Sequence, residues 1–411
     1  MNPTAMTIEE QVTYLMQGTE YGDAQIKHNM AEELRQRLIL AQKQNRPLEV
    51  YCGFDPRTSD LHLGHTVPMR KMRQFQELGH NVTFVVGSYT ALVGDPSDKD
   101  KLRPRLTVDE VEHNARTYAE QAFKILEEGK TTIRHNGEWL AGLTLIDLIQ
   151  LGANFTLQQF INNRENFKLR WEKGDPIYLH ETFYGMMQGY DAYTLRADVQ
   201  IGGTDQMFNI MHASRKVMEG LGILPNIAII VDILPGTDGE VKMSKSLGNH
   251  IPLLSTPENM YGKVMSVPDI AMPKYFELLT RWTPEEIAAR KAALASGELH
   301  PRDAKMELAR EIVSIYQGDA AAQKAQDHFV TVFQKGDLPD DMPEYTLQAG
   351  QTVLEVLKSA GLVSSNSEAR RLLDQNGVRL DGETLKDGNA PFPGAGVLQA
   401  GKRRFVRVVV K

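Results

Sequence analysis

The chain has 411 residues, too many for one compact core, so two or three domains are expected. Its composition, 41% hydrophobic and 24% charged, is that of a globular protein, and no apolar run approaches the roughly 18 residues a membrane helix needs. The net charge of -7 argues against a generic nucleic-acid binder, and the one cysteine, Cys52, excludes an internal disulfide, which fits a reducing cytoplasm. The opening MNPTAMTIEEQ is polar and acidic, so no secretory signal is expected. Charge is unevenly spread: residues 351–411 hold ten Lys and Arg against six Asp and Glu. A basic tail on an acidic body suggests a polyanion met at one end.

Residues 48–54 (LEVYCGF) read as a short buried strand. A DPRTSD turn follows, then a helix from about His62 to Leu78 closed by Gly79, then a second strand over Asn81–Gly87. Strand, loop, helix and strand in this order open a parallel α/β sheet. Thr107 and Glu110 form a capping box before a helix running to about Leu126. Residues 140–195 read as largely helical. A strand over Asp198–Gly202 leads to a helix after Gly203, and another over Asn226–Leu234 precedes the turn-rich PGTDGEVKMSKSLGN. Residues 255–335 are helical in pattern, 336–350 are acidic and rich in Pro and Gly, and the last 61 residues mix two short helices with strands such as GVRLDG and RFVRVVV.

Two motifs carry chemistry. His62-Leu63-Gly64-His65 lies where a strand feeds a helix N-terminus, where free N–H groups and the helix dipole favour an anion. Two histidines there can donate to phosphate oxygens, and Gly64 leaves room for an adenine ring. Lys242-Met243-Ser244-Lys245-Ser246 lies about 180 residues later, in a polar turn after a buried strand. Its lysines can close over a triphosphate and neutralise charge on the leaving pyrophosphate. Either motif alone reads equally as a solvated surface segment.

Together, and in this order, they resemble the two signatures of the class I aminoacyl-tRNA synthetases. Over nearly the whole chain the resemblance is to the bacterial tyrosyl branch. Tyr51-Cys52-Gly53-Phe54-Asp55-Pro56 is similar to that family's tyrosine-pocket strand. The resemblance implies that Tyr51 touches the substrate phenol. Asp55 lies near the ammonium and ATP, with Cys52 near the ribose and Gly53 beside them in the ATP site. It implies Asp95, in Gly94-Asp95-Pro96-Ser97, as an ammonium ligand. Tyr184, Gln188 and Asp191 fall at i, i+4 and i+7 on one helix face, the first two for the ammonium and Asp191 for the phenol. In Gly202-Gly203-Thr204-Asp205-Gln206, Gly203 brings backbone to the adenylate, Asp205 takes the ribose and Gln206 lies near the tyrosyl carboxyl. Ser246 joins Lys242 and Lys245 at ATP.

A phenol needs a donor and an acceptor at the pocket floor, and Tyr51 with Asp191 supplies both. Phenylalanine would leave them unpaired, a discrimination of which tyrosyl synthetases are the standard instance. Two positions depart from the family pattern. Arg57 stands where a threonine usually reaches the γ-phosphate, with Thr58 next. Asp98 stands where glycine is frequent, which weakens any carry-over of a role to Lys99 and Arg103.

Residues 351–411 resemble the small RNA-binding fold of ribosomal small-subunit protein four. The resemblance rests on Ser367-Glu368-Ala369-Arg370-Arg371, Gly377-Val378-Arg379-Leu380-Asp381-Gly382 and Gly401-Lys402-Arg403-Arg404-Phe405. Arg370, Arg371, Arg379, Lys402 and Arg403 are the expected RNA contacts.

The expected architecture is α/β. A Rossmann-like parallel-sheet catalytic domain with a helical insertion (1–235) carries the signature loop (236–250). An α-helical anticodon-recognition domain (251–335), a linker (336–350) and a small α+β RNA-binding domain (351–411) follow. The expected activity is a tyrosine-tRNA ligase working in the cytoplasm on L-tyrosine, ATP with Mg²⁺, and tRNA(Tyr). His62, His65, Lys242 and Lys245 are its catalytic residues, and no dedicated metal cluster is expected. The family is typically homodimeric through the helical insertion, here 107–180. Three other readings stand beside it. A tryptophanyl synthetase would bind indole, which suits Tyr51 and Asp191 less. A small-molecule nucleotidyltransferase would need no RNA-binding tail. An RNA-binding or splicing protein with a decayed synthetase body would not turn over ATP.

Overall fold

The computed structural model describes residues 6–56, 60–97, 107–332, 343–348, 350–401 and 404–410. Arg57, Thr58, Asp98, Lys99, Arg103, Lys402 and Arg403 lie outside the described residues. Contacts divide the chain into two units, Met1–Gln323 and Lys324–Lys411.

The first unit begins with α1 (Ile8–Met16) and α2 (Ala24–Lys43), capped by Thr7 and Asp23. Then come β1 (Glu49–Phe54), α3 (Leu63–Glu77), β2 (Asn81–Val86), the short α4 (Thr90–Val93) and α5 (Val108–Ala122). The Thr107–Glu110 capping box precedes α5: the Glu110 carboxylate accepts from the Thr107 N–H at 2.8 Å and the Thr107 hydroxyl accepts from the Glu110 N–H at 3.3 Å. The edge strand β3 (Thr131–His135) and α6 (Gly137–Leu140) follow. The helical insertion continues as α7 (Leu145–Gly152), α8 (Leu157–Asn162), α9 (Glu165–Lys173) and α10 (Leu179–Thr194). β4 (Val199–Gly203) runs through a tight turn and a wide π-helical segment, Phe208–Ser214, into α11 (Arg215–Gly220), and β5 (Ile227–Val231) closes the sheet.

All five strands are parallel, in the order β3-β2-β1-β4-β5. All five residues of β5 are buried, the continuous apolar run expected of a parallel strand covered on both faces. Chain order runs outward from β1 toward β3 on one side and from β4 toward β5 on the other. The crevice at the carboxyl ends of β1 and β4 is therefore a topological switch point, where such sheets bind ligands. At the amino ends of the strands, Asp198 accepts from Arg37 at 3.0 Å, Arg46 at 2.5 Å and the Glu49 N–H at 3.0 Å, tying α2 to the start of β4.

After the signature loop come α12 (Pro257–Met265), α13 (Met272–Leu279), α14 (Pro284–Ser296), α15 (Pro301–Gln317) and α16 (Asp319–Val330). Pro at the first turn behind Thr256 and Thr283 caps starts α12 and α14.

The second unit packs α17 (Val353–Ser359) and α18 (Asn366–Asp374) on a five-stranded sheet, β6 (Glu344–Leu347), β7 (Val378–Leu380), β8 (Glu383–Thr384), β9 (Gly396–Ala400) and β10 (Arg404–Val410). The strand order is β6-β10-β9-β7-β8, with only the β6–β10 pair parallel. Leu357, Leu373, Val378, Leu398 and Val406 belong to its core.

Two strands depart from the sequence reading. Residues 344–347 fall inside the segment read as linker, yet pair with β10. Their strand character comes from a partner some sixty positions away, as Tyr345 sits opposite Val408. β3 was not anticipated: TTIRH has one apolar residue and lies at an edge, so alternation is too weak to announce it.

Candidate active site

The signature histidines cap α3 with their own rings. His62 is the N-cap, its Nδ1 accepting from the Gly64 N–H at 3.1 Å, and His65 Nδ1 accepts from the His62 N–H at 3.2 Å. With Nδ1 an acceptor in both, the proton of each neutral ring sits on Nε2, which becomes the outward donor. Burial pushes the His62 pKa down to about 2, reinforced by His65, His250, Lys245 and Lys242; burial and the lysines push His65 down to about 4. The rings lie 3.8 Å apart.

This corrects the expectation of free helix N–H groups. The Leu63 N–H is taken by Ile251 O at 3.0 Å and the His65 N–H by His62 O at 2.9 Å, so an anion would meet imidazole N–H groups and not backbone. A Cβ on Gly64 would sit 3.0 Å from the His62 ring and 3.5 Å from Met243, so glycine here makes room for the capping imidazole.

The lysine loop is pinned from below. Met243 is buried and its N–H reaches Leu234 O at 3.0 Å, while Asn249 takes the Ser244 N–H at 2.8 Å and donates to Asp238 at 2.5 Å. Between these anchors Lys242 reaches Asp205 at 2.8 Å, Lys245 faces Asp60 at 3.8 Å, and the Ser246 and Ser244 hydroxyls meet at 2.9 Å. The lysines thus have carboxylate partners, which a polyphosphate would have to displace.

Three carboxylates gather at the crevice. Asp191 is 3% exposed, with Oδ1 accepting from Trp139 Nε1 at 2.7 Å and Oδ2 from Asn136 Nδ2 at 3.2 Å. Burial raises its pKa to about 7 against the lowering effect of Trp139 and Asn136, with Asp55 raising it further. Asp55 accepts from Thr90 at 2.8 Å and Tyr184 at 3.1 Å, and Asn136 also donates to Thr90 at 3.0 Å, so Asp191, Asn136, Thr90, Asp55 and Tyr184 form one network. Gly87 lets Asp55 in: a Cβ there would sit 2.1 Å from its carboxylate. Asp95 accepts from the Ser97 hydroxyl at 2.7 Å and from Gln206 Nε2 at 2.5 Å.

Tyr51 lies on β1, 1% exposed, and donates its hydroxyl to the Gln188 main-chain oxygen at 3.2 Å. It acts as donor to a phenol only by turning from that carbonyl. The Gln188 side-chain oxygen is buried and has no hydrogen-bond partner among the described residues, an acceptor suited to an ammonium. Cys52 is buried next to Tyr51, and burial raises its thiol pKa; Gly53 beyond it is exposed, and Gly203 ends β4 two positions before Asp205.

Of the residues the sequence singled out, His62 thus meets His65, Lys242 meets Asp205, Tyr51 meets Gln188, Asp55 meets Tyr184 and Asp95 meets Gln206, while Arg370, Arg371 and Arg379 belong to the other unit. Asn136, Trp139, Thr90, Gly87 and Asn249 were not singled out. Asn136 and Trp139 follow the edge strand that went unseen, and their partners are 55 and 52 positions away. The Asn in SLGN was the one signal within reach. A cleft of about 730 Å³ beside the C-terminal half of α3, lined by Tyr14, Arg73 and Arg281 among others, holds none of these residues.

In the second unit Arg370 and Arg371 project from α18 and Arg379 from β7, all exposed. Arg404 is tied to Glu368 at 2.8 Å.

A parallel sheet with a histidine-capped helix at its switch point and a lysine loop behind it defines the class. Residues 42–334 match the family model for tRNA synthetases class I (W and Y), and residues 351–392 match that for the S4 domain. Among relatives, the chain is 47% identical to the tyrosine–tRNA ligase of Moorella thermoacetica, over 92% of each chain, and 43% identical to that of Thermotoga maritima, over 98% of each. The chain belongs to the tyrosine–tRNA ligase family of class I aminoacyl-tRNA synthetases. Its fold is shared with the tyrosyl-tRNA synthetase of Archaeoglobus fulgidus, solved with L-tyrosine (TM-score 0.60, 21% identity, covering 78% of this chain and 100% of that one).

Proposed function

We propose that this chain activates L-tyrosine with ATP at the switch-point crevice and passes it to the 3′-terminal ribose of tRNA(Tyr), with the residue roles that follow. The observation that carries the tyrosine reading is the buried Asp191 carboxylate, oriented by Trp139 and Asn136, with Asp55 joined to it through Thr90 and Asn136. A phenol meets Tyr51 and Asp191. The ammonium meets Asp95, Gln188, Tyr184 and Asp55, and Gln206 orients Asp95.

The tyrosine carboxylate attacks the α-phosphorus in line, an O–P bond forms, and the bond to the bridging oxygen breaks to release pyrophosphate. No residue bonds covalently to the substrate; the site positions and stabilises charge. His62 and His65 donate from Nε2, and Lys242 and Lys245 exchange Asp205 and Asp60 for the leaving phosphates, with Ser246 beside them. Lys242's departure releases Asp205 to the ribose, against Cys52, Gly53, Gly64 and Gly203. Mg²⁺ would be held by the ATP phosphates and would supply charge neutralisation there. A ribose hydroxyl of the tRNA then attacks the activated carbonyl and AMP leaves.

Residues 251–335 take the anticodon side. Arg370, Arg371 and Arg379, with Lys402 and Arg403, meet the RNA backbone. Leu145, Ile146 and Ile149 expose 72%, 67% and 63% of their surface along α7, and Leu157, Trp171 and Leu179 are 65%, 64% and 67% exposed. This apolar stretch supports a homodimer through the insertion. No helix among the described residues is long and apolar enough to cross a membrane, and the cytoplasm is the proposed compartment.

The test is ATP–pyrophosphate exchange with tyrosine, tryptophan and phenylalanine in parallel. Exchange with tyrosine alone is expected. Exchange with tryptophan in preference overturns the pocket assignment, and no exchange with any of them favours the RNA-binding reading.

A further inference from the structure

Behind Asp95 a ring of hydrogen bonds closes on itself. It starts at Arg164, the residue before α9, which is 3% exposed and packs its guanidinium over the Phe167 and Phe208 rings, 5.0 and 5.2 Å from their centroids. Arg164 Nη2 donates to Ser97 Oγ at 2.9 Å and to Asn209 Oδ1 at 2.7 Å. Asn209 Nδ2 donates to Gln206 Oε1 at 3.0 Å and to Ser97 Oγ at 3.2 Å. Gln206 Nε2 donates to Asp95 Oδ2 at 2.5 Å, and Ser97 donates to Asp95 Oδ1 through its N–H at 2.9 Å and its hydroxyl at 2.7 Å. Arg164 Nη2 itself stands 3.6 Å from Asp95 Oδ1.

The direction of every bond follows from the arginine. A guanidinium can only donate. Asn209 must therefore present Oδ1 to it, which turns Nδ2 toward Gln206. Gln206 must then present Oε1 to Asn209, which turns Nε2 toward Asp95. On the other arm Ser97 Oγ receives from Arg164 and has its proton left for Asp95. Both arms deliver donors to a carboxylate that can only accept when ionised. An ionised carboxylate offers about four lone-pair positions. Three are filled here, by the Ser97 N–H and hydroxyl and by Gln206 Nε2, so one stays open.

Charge points the same way. Glu181, the other carboxylate that acts on Arg164, is closed on Arg170 at 2.6 Å, so Asp95 is the counter-charge left to Arg164. A buried cation without a partner is costly, and so is a buried carboxylate; 3.6 Å apart, each offsets the other.

We propose that Arg164 is a positioning residue for the substrate's amino group: as a buried donor-only cation it sets the polarity of this ring, turns its donors onto Asp95 and leaves one acceptor position of that carboxylate for the ammonium. The inference rests on the reading of Asp95 as an ammonium ligand. Arg164 touches no substrate atom and acts through Ser97, Asn209 and Gln206.

The experiment compares the binding of L-tyrosine with that of 3-(4-hydroxyphenyl)propanoate, which keeps the ring and carboxylate but lacks the ammonium. The proteins are the full-length parent, Arg164→Met, Arg164→Lys, Ser97→Ala and Asp95→Asn. Arg164→Met is expected to weaken tyrosine binding by about tenfold to a hundredfold, the scale of one or two charge-assisted hydrogen bonds. Binding of the propanoate and KM for ATP should stay unchanged. Arg164→Lys, which keeps a donor-only cation, should recover part of the loss. Should Arg164→Met fail to fold, Ser97→Ala carries the same test, because it cuts one arm of the ring and leaves the cation in place. Equal loss for both ligands, or no loss, while Asp95→Asn is selective for tyrosine, overturns the role of Arg164 alone. Absence of selectivity in Asp95→Asn overturns the ammonium reading and the inference with it.

Discussion

Trp139 holds Oδ1 of Asp191 through its indole N–H at 2.7 Å, across 52 positions of sequence. Asn136, three residues earlier, holds the other oxygen at 3.2 Å, so the carboxylate is clamped from the start of α6. Two donors fix the orientation of this buried carboxylate on α10. Burial, opposed by the same two donors, sets the pH at which it ionises.

Burial raises the Asp191 pKa to about 7. Below that pH the carboxyl is protonated, and above it the stronger, ionised acceptor faces the phenol. Tyrosine affinity is therefore expected to rise as pH increases through about 7, and the step should vanish in Asp191→Asn. His62 and His65, held neutral well below that range, should add no step of their own. Equilibrium binding of tyrosine between pH 5.5 and 8.5, roughly the window flanking this ionisation, reads the effect.

Asp191→Ala should erode the preference for tyrosine over phenylalanine by about 1–3 kcal/mol, the cost of leaving a buried polar group unpaired. Trp139→Phe, which removes one of the two clamping donors, should erode it by less. The readout is the ratio of kcat/KM for the two amino acids in pyrophosphate exchange; an unchanged ratio in Asp191→Ala removes that residue from the floor.

Lys245→Ala should slow adenylate formation by about a hundredfold or more, as loss of a transition-state donor does, with little change in tyrosine affinity. Lys245 sits on a loop held at Met243 and Asn249 and is paired loosely with Asp60. Single-turnover kinetics separate the two quantities, and an unchanged rate of adenylate formation refutes the loop assignment.

Charge reversal of the exposed pair, Arg370→Glu with Arg371→Glu, should raise KM for tRNA and flatten its salt dependence by about one power of salt for each phosphate no longer neutralised. Pyrophosphate exchange, which needs no RNA, should not change. A parallel decline in both assays would place these arginines in the folding of their unit.

Ile149→Asp puts a charge on the exposed face of α7, whose burial in a dimer would then be strongly unfavourable. Sedimentation at micromolar concentration should show the variant as a monomer beside a dimeric parent. A monomeric parent, or a variant as dimeric as the parent, sinks the interface.

The chemistry-bearing residues were legible because they cluster in short runs. His62 to His65, Lys242 to Ser246 and Gly202 to Gln206 each follow a buried strand, and the strand announces the turn. Tyr184, Gln188 and Asp191 share one helix face by the 3.6-residue repeat, and the family resemblance marked that face as part of the site. The supporting residues had no such local mark. Thr90, Asn136, Trp139 and Asn209 are ordinary polar or aromatic residues whose partners lie on other elements. The free helix N–H groups expected at α3 were an error of the same kind, since only the fold brings the Ile251 carbonyl to the Leu63 N–H and the His62 ring to the Gly64 N–H.

The amino-acid sequence by itself determined the parallel α/β body, because strand burial, helix periodicity and turn chemistry are local properties, and the resemblance carried by its two ordered signatures pointed to the family. Tertiary structure alone decided which nitrogen of each histidine faces outward, the ionisation of Asp191, the edge strand β3 and the strand Glu344–Leu347. These depend on contacts between residues far apart in the chain, and on desolvation, which no stretch of sequence carries until the fold has formed around it.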